Sequence, residues 1–322
     1  MFYRIISKCK IFILFVAISM LYFIIMSNFI YEQKYDILKI GSIEIKNMKK
    51  INPHNYDYII NPEYSICHKN NILLIFTVIT RVDSFDRRQL IRSLWSNYKL
   101  KSNYEFVFMV GKSSNQTINE MVKNEFDIYE DIVQENFIDS YWNLTLKSIM
   151  SYKWVSKYCR NSVYVVKIDD DVNLHFKNVI EYFSVLKNNI TRSNFFNVFG
   201  KPASSFYVER DQNSKYYVPY SEYNETTYPY YLAGPAYIYT KGFSSVIYNI
   251  SNYVNFMRME DVYFGLLIKK VKQINSTQVK INDITDKYNE KDFCSKKNDY
   301  FFYYHLRDNN EYRIIFNYTN FY

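Results

Sequence analysis

The sequence predicts an α/β fold: a mostly parallel sheet with helices on both faces. Three observations carry that expectation. From residue 72 onward, short apolar strand-like runs alternate with amphipathic stretches at helical spacing, the pattern of strand–crossover–strand units. The strand-like run "VYVVKI" leads directly into Asp169, Asp170 and Asp171, and ligands of such sheets bind beyond the carboxyl ends of the strands. The chain has six glycines and no GxxxxGK[ST] run, so it has no phosphate-binding P-loop.

The elements follow in order. "IFILFVAISMLYFIIMSNFI", residues 11–30, is uncharged and about as long as the ~20 residues a membrane-spanning helix needs. Arg4, Lys8 and Lys10 precede it and Glu32 is the first charge after it. The positive-inside rule therefore gives a cytosolic tail at 1–10, a signal-anchor at 11–30 held in the lipid bilayer, and the remainder in a lumen. A cleavable signal peptide is the competing reading, but its apolar region would be shorter and no small-x-small site stands near Ser27. Residues 31–70 are polar, with Pro53 and Pro62, and read as a stem. Residues 71–322 read as the folded domain. There "ILLIFTVI" is a buried strand, "DRRQLIRSLWSN" an amphipathic helix and "YEFVFMVG" a second strand. A helix near 115–126, a strand at "YEDIVQ" and a long helix from "DSYWNLTLK" to Cys159 follow, the last capped by Asp139 or Ser140.

Composition narrows the function classes. The net charge of +8 comes from scattered Lys and Arg, with no basic stripe, so no nucleic-acid partner is expected. Aromatic residues make up 20% of the chain, a chain-wide bias, so single tyrosines are not read as sugar platforms. Trp95, Trp142 and Trp154 are read as core. Cys9 falls on the cytosolic side, leaving Cys67, Cys159 and Cys294 in an oxidising lumen. These allow one disulfide whose pairing stays open. Sequons at Asn115, Asn143, Asn189, Asn224, Asn249, Asn275 and Asn317 agree with that topology. The Asn143 sequon lies within a packed helix and is expected to stay unmodified.

Three adjacent carboxylates repel one another unless a cation neutralises them. A solvated turn is the plain reading. A hard divalent cation such as Mn2+ or Mg2+ is the functional one, because it takes oxygen ligands and needs few from protein. Zn2+ is disfavoured, since His175 is the sole Cys or His near the triplet. Downstream, Glu260 and Asp261 open the apparent helix "VYFGLLI". Acidic residues there suit the helix dipole, and equally suit a general base.

Read in order, "RRQLIRSLW", "DIVQENFIDSYWNLTLKSIMSYKWVSKYC", "VVKIDDDVNLH", "KYYVPYSEYNETTYPYYLAGPAYIYT" and "MEDVYFG" resemble the motifs of one family. It is the β-1,3-galactosyltransferase/N-acetylglucosaminyltransferase family of type II membrane hexosyltransferases, matched from about residue 71 to about residue 270. The resemblance implies a GT-A-type, Rossmann-like fold, a UDP-galactose or UDP-N-acetylglucosamine donor, Mn2+ dependence and a Golgi membrane address. It also implies an inverting displacement onto a glycoprotein or glycolipid acceptor, giving a β-1,3 linkage. Carried over residue by residue, Asp171 is the direct metal ligand, with Asp169 and Asp170 assisting with metal and nucleotide. Asp261 is the base, with Glu260 its competitor. Lys167 is either structural or a donor contact, Arg92 either a plain helix residue beside Arg87 and Arg88 or a nucleotide contact, and Gly234 allows close backbone approach to the donor. His305 lies beyond the matched stretch and reads either as a late metal or diphosphate ligand or as a surface histidine. Pro235 and Ala236 replace the family's glycine-rich pair, which stiffens that loop. That departure supports a rival reading, an inactive membrane-anchored glycan-binding protein. A metal-dependent phosphohydrolase is the third.

Overall fold

The computed structural model describes residues 18–22, 26, 48–63, 65–68, 71–99, 103–190, 196–275, 279–289, 301–303, 306 and 308–321. Two compact units are present. One comprises residues 1–48 with 274–277, and its described residues 18–22 and 26 are helical and exposed. Among the described residues no helix is long and apolar enough to cross a membrane. Most of the expected anchor over 11–30 lies outside the described residues.

The second unit, residues 49–273 with 278–322, carries the sheet. In chain order it contains β1 (Tyr58–Ile60), β2 (Ile72–Ile79), α1 (Phe85–Lys99), β3 (Tyr104–Lys112), α2 (Gln116–Tyr129), β4 (Ile132–Ile138), α3 (Leu144–Tyr158) and β5 (Ser162–Asp169). There follow β6 (Asn173–Leu174), α4 (Phe176–Ile190), β7 (Phe196–Pro202), β8 (Leu232–Thr240), α5 (Phe243–Ser251), α6 (Glu260–Asn275) and β9 (Val279–Asp283). The last elements are β10 (Tyr288–Asn289), β11 (Phe302–Tyr303) and α7 (Asn309–Phe321).

The main sheet has the order β1-β4-β3-β2-β5-β8-β7-β9, and β10-β11-β6 form a small second sheet. Strands β4, β3, β2 and β5 are parallel, while β1 and β8 run against their neighbours. The sheet is therefore mixed where a mostly parallel one is expected. The reason is local: β8 returns antiparallel beside β5 after a long excursion through residues 203–231, with no helical crossover.

The central strands are buried on both faces, so they read as unbroken apolar runs. Every residue of β2 is buried, each large apolar side chain contributing about 1.5–3 kcal/mol. Aromatic residues fill the core beneath α1, where Phe76, Trp95, Tyr104 and Phe176 meet at centroid distances from 4.8 to 6.0 Å. Trp95 and Trp154 are 1% and 0% exposed, but Trp142 is 48% exposed and does not belong to the core.

The expected stem ends early. From residue 49 the chain belongs to the sheet-bearing unit, with β1 paired to β4 and Cys67 bonded to Cys159. Cys294 lies outside the described residues. The long helix also starts later than expected. A 3-10 turn at Tyr141–Asn143 precedes α3, and Ser140 makes no side-chain capping bond. The Asp139 carboxylate instead accepts from the Gly111 N–H (2.8 Å) and pairs with Lys147 (2.9 Å).

From β2 the chain moves to β3 and β4 on one side, then returns through α3 to β5 on the other. The place where successive strands part, at the carboxyl ends of β2 and β5, is where such sheets bind ligands. The three aspartates stand there.

Candidate active site

The triplet is fastened to the end of β2. Register pairs Ile79 with Asp169. The Asp170 N–H then donates to the Ile79 carbonyl (3.1 Å), and the Thr80 hydroxyl donates to Asp170 Oδ2 (2.7 Å). The Val172 N–H closes the turn on the Asp169 carbonyl (3.2 Å), and the Leu306 N–H donates to the Asp171 carbonyl (3.1 Å). Among the described residues, no side-chain hydrogen bond or ion pair engages the Asp171 carboxylate.

Lys167, two residues before the triplet, points from β5 to the other half of the site. It is 2% exposed. Its ammonium donates to Asp169 Oδ1 (2.7 Å) and to the Gly234 carbonyl (2.7 Å), and pairs with Glu260 Oε2 (3.2 Å). Burial alone would lower this lysine, but Asp169 and Glu260 outweigh it and hold the charged form above its usual range.

The acidic pair opens α6. Thr145 Oγ1 donates to the Met257 carbonyl (2.6 Å), tying the preceding segment to α3. Glu260 is buried, accepting from Ser148 Oγ (2.9 Å) and the Tyr237 hydroxyl (2.6 Å) through Oε1 while Oε2 faces Lys167. Both its oxygens are engaged, which suits a positioning group. Asp261 differs: Oδ1 accepts from the Val262 N–H (2.8 Å), and among the described residues no hydrogen bond occupies Oδ2. Desolvation, then the neighbouring Glu260 charge, push its carboxyl up to about 6. That is the range a general base at neutral pH requires.

Gly234 packs against this pair. A Cβ there would come 3.3 Å from Asp261 Cβ and 3.5 Å from Glu260 Oε2. Its missing side chain thus makes room for the acidic pair, where sequence reasoning places it against the donor. Gly234, Pro235 and Ala236 form no free loop. They lie in β8, with Ala236 opposite Ile168.

The carboxylates of the triplet are crowded and partly desolvated. Asp169, with 31% of its side chain still in contact with water, is pushed up to about 7 by desolvation, against the pull of Lys167 and with the push of Asp171. Burial raises Asp170 too, against the Thr80 hydrogen bond. Among the described residues no cluster of three or more Asp, Glu, His or Cys could hold a metal. The donor set of Asp171 and Asp169, hard oxygens on one turn with one carboxylate unpartnered among the described residues, fits a Mg2+ or Mn2+ ion that keeps several waters. His305 lies outside the described residues.

A cleft of about 470 Å3 opens beyond the ends of β2, β3 and β4, lined in part by Arg81, Ser113, Asp139, Tyr141 and Lys147. Lys147 is buried and donates to the Thr80 carbonyl (2.5 Å). Burial lowers its ammonium, with Asp139 opposing. The structure thus brings together Asp169, Lys167, Gly234, Glu260 and Asp261. It does not bring Arg92. That side chain is buried against Asp131 (2.7 and 2.8 Å) and Glu125 (2.6 Å), with its guanidinium over Tyr129. Its donors are taken by carboxylates, so the nucleotide-contact expectation is corrected.

Sequence reasoning missed Thr80, Tyr141, Lys147 and Ser148. A polar residue ending the apolar run of β2 was a signal for Thr80. The other three depend on how α3 is docked.

Known proteins resemble this chain over most of the sheet-bearing unit. Residues 86–280 match a family model described as galactosyltransferase. β-1,3-Galactosyltransferase 1 of Mus musculus is 34% identical over 232 residues, covering 69% of this chain and 68% of its own. Lactosylceramide 1,3-N-acetyl-β-D-glucosaminyltransferase of Mus musculus is 31% identical over 291 residues, covering 83% of this chain and 76% of its own. Among solved structures, a glycosyltransferase involved in the glycosylation of the major capsid of PBCV-1 matches with a TM-score of 0.42 at 9% identity, over 76% of this chain and 98% of that one.

Proposed function

From the premise that this chain belongs to the galactosyltransferase family, we propose that it is an inverting hexosyltransferase of GT-A type. It moves galactose or N-acetylglucosamine from a UDP-sugar to a hydroxyl of a glycoprotein or glycolipid glycan, forming a β-1,3 linkage. The observation that carries this reading is Asp261, a carboxylate with Oδ2 uncommitted and its pKa raised, joined to the triplet through Glu260 and Lys167.

In this reading the nucleoside lies in the cleft beyond β2–β4 and the diphosphate over the triplet. Asp261 takes the proton of the attacking hydroxyl through Oδ2 as the new C–O bond forms. UDP departs from the opposite face, so a single displacement inverts the anomeric carbon. Glu260 holds the start of α6 in place, and Lys167 fixes Asp169. Asp171 and Asp169 would hold a Mn2+ or Mg2+ ion, which supplies positive charge against the departing diphosphate.

The proposal extends to location: a single-pass type II Golgi membrane protein, anchored by residues 11–30, with its catalytic unit in the lumen. The Cys67–Cys159 bond supports it, since such bonds persist in oxidising compartments. Protease protection in intact vesicles tests it, and digestion of the catalytic unit without detergent would refute it.

The full-length chain in detergent, given UDP-galactose or UDP-N-acetylglucosamine and β-linked acceptors, should release UDP with Mn2+ stimulation and yield a β-1,3 product by NMR. No Mn2+-stimulated release with any acceptor would overturn the reading. Glycan binding without turnover, indifferent to Asp261→Asn, would favour the inactive binding protein.

A further inference from the structure

Of the three tryptophans in the chain, two are core and one is not. Trp142 is 48% exposed and Tyr141 beside it 57% exposed, on the 3-10 turn between β4 and α3. Their rings meet edge-on, 5.4 Å apart at 75°. Two large aromatic side chains left side by side in water mark a surface that something covers.

The turn is braced. The Arg258 guanidinium lies 5.0 Å from the Trp142 ring centroid. Arg258 donates Nη2 to the Tyr217 carbonyl (2.9 Å), pairs through Nε with Glu222 Oε2 (2.9 Å), and donates its backbone N–H to Glu222 Oε1 (3.1 Å). Tyr217 and Glu222 belong to the long 203–231 excursion, and Arg258 stands three residues before Asp261. The brace thus joins the aromatic turn, the excursion and the segment carrying the base.

Tyr141 also lines the 470 Å3 cleft, so Trp142 follows directly after a residue of the cleft wall. Tyr216, in the 203–231 excursion next to the Tyr217 that Arg258 holds, is 47% exposed. Burial, then the neighbouring Tyr216 hydroxyl, raise the Tyr141 phenol, with Lys215 opposing.

We propose that Tyr141, Trp142 and Tyr216 form the acceptor subsite, with the terminal pyranose lying its C–H face on Trp142 and Arg258 acting as the positioning residue that fixes the ring. The subsite deepens the transferase reading and rests on Asp261 as the base: a sugar on this wall offers its hydroxyl to a carboxylate just along the chain from the brace. An aromatic face suits a pyranose because its C–H bonds are apolar while its hydroxyls point outward.

Two measurements test it. The first uses the unaltered full-length chain. Iodide quenching of tryptophan fluorescence reports Trp142, since Trp95 and Trp154 are buried. Methyl β-galactoside or methyl β-N-acetylglucosaminide, added without donor, should protect it. Full iodide access at saturating levels of the assay acceptor would overturn the proposal. The second compares Trp142→Ala with Trp142→Phe. The alanine variant should raise the acceptor KM about tenfold against a donor KM within twofold of wild type, and phenylalanine should restore most of the loss. An acceptor KM within twofold of wild type sinks the subsite alone, whereas a wild-type chain without acceptor-dependent transfer sinks the transferase reading.

Discussion

Replacing Asp261 by asparagine should have two effects of opposite sign, and together they identify its role. The side chain keeps its size and its Oδ1 bond to the Val262 N–H, so the start of α6 has little reason to move. The carboxyl is held at about 6, up from its usual 3.8. Keeping it ionised at neutral pH therefore costs the folded state about 3 kcal/mol, an upper value because the side chain is partly open to water. The raised pKa sets the sign. Above pH 6 the charged form works against folding, and the penalty vanishes as pH falls through 6 towards 3.8. The variant should thus be about 1–3 kcal/mol more stable than wild type at pH 8 and equal to it near pH 3.5, read by urea unfolding. Its kcat should fall about 10²- to 10⁴-fold. In wild type, kcat at saturating donor should drop to about a tenth of its plateau at pH 5, one unit below the base. A variant that keeps kcat within tenfold, or loses stability at pH 8, would show Asp261 to be a helix cap and nothing more.

Lys167→Met leaves Asp169 and Glu260 facing each other without their shared cation, and should cost about 3–5 kcal/mol in urea unfolding; a loss below 1 kcal/mol would mean water takes over the role. Gly234→Ala puts a methyl 3.3 Å from Asp261 Cβ and should lower kcat about ten- to a hundredfold with donor KM little changed, so a donor KM effect alone would return Gly234 to the donor. Replacing Cys67 and Cys159 together by serine removes a cross-link spanning 92 residues and should cost about 2–5 kcal/mol. An unchanged urea midpoint would mean that the bond does not form in the mature protein.

Much of the fold was legible because its signals are local. The unbroken apolar runs of β2, β3 and β5 mark strands buried on both faces, and α1 and α2 between them show helical spacing. The antiparallel return of β8 was not legible, because a strand's direction depends on the excursion before it. The site divides in the same way. The triplet and the Glu260–Asp261 pair stand out as charges where apolar runs end. Trp142 reads as core because tryptophan usually is, and Arg92 as a ligand contact because a motif suggested it. What sends one outward and the other inward is the partner each meets, Arg258 for Trp142 and the Glu125–Asp131 pair for Arg92. Those partners lie between 33 and 116 residues away in sequence, too far for any window to see.

The charge balance around the triplet leads to one more expectation. Asp169, Asp170 and Asp171 stand at the end of β5 and Glu260 and Asp261 at the start of α6, while Lys167 and Arg87 are the described cations set against them. Lys147 pulls weakly on Asp170 but is already paired with Asp139. Among the described residues that leaves an excess of three negative charges where the proposed substrate brings a diphosphate. Burial, with the neighbouring carboxylates adding to it, raises both the Asp169 and the Asp261 carboxyls, so protons compete for this site. A diphosphate at neutral pH must enter as an anion against that field. The proposed reading requires a divalent cation for the donor to bind at all, and not only for the reaction. Calorimetry with UDP should show affinity falling by about a hundredfold or more, roughly 3 kcal/mol, when Mn2+ is replaced by EDTA. It should also show Mn2+ binding weakening as pH drops below about 7, where Asp169 takes up its proton. UDP binding of equal strength in EDTA would mean that the diphosphate lies away from the triplet, and the assignment of Asp171 and Asp169 would fall with it.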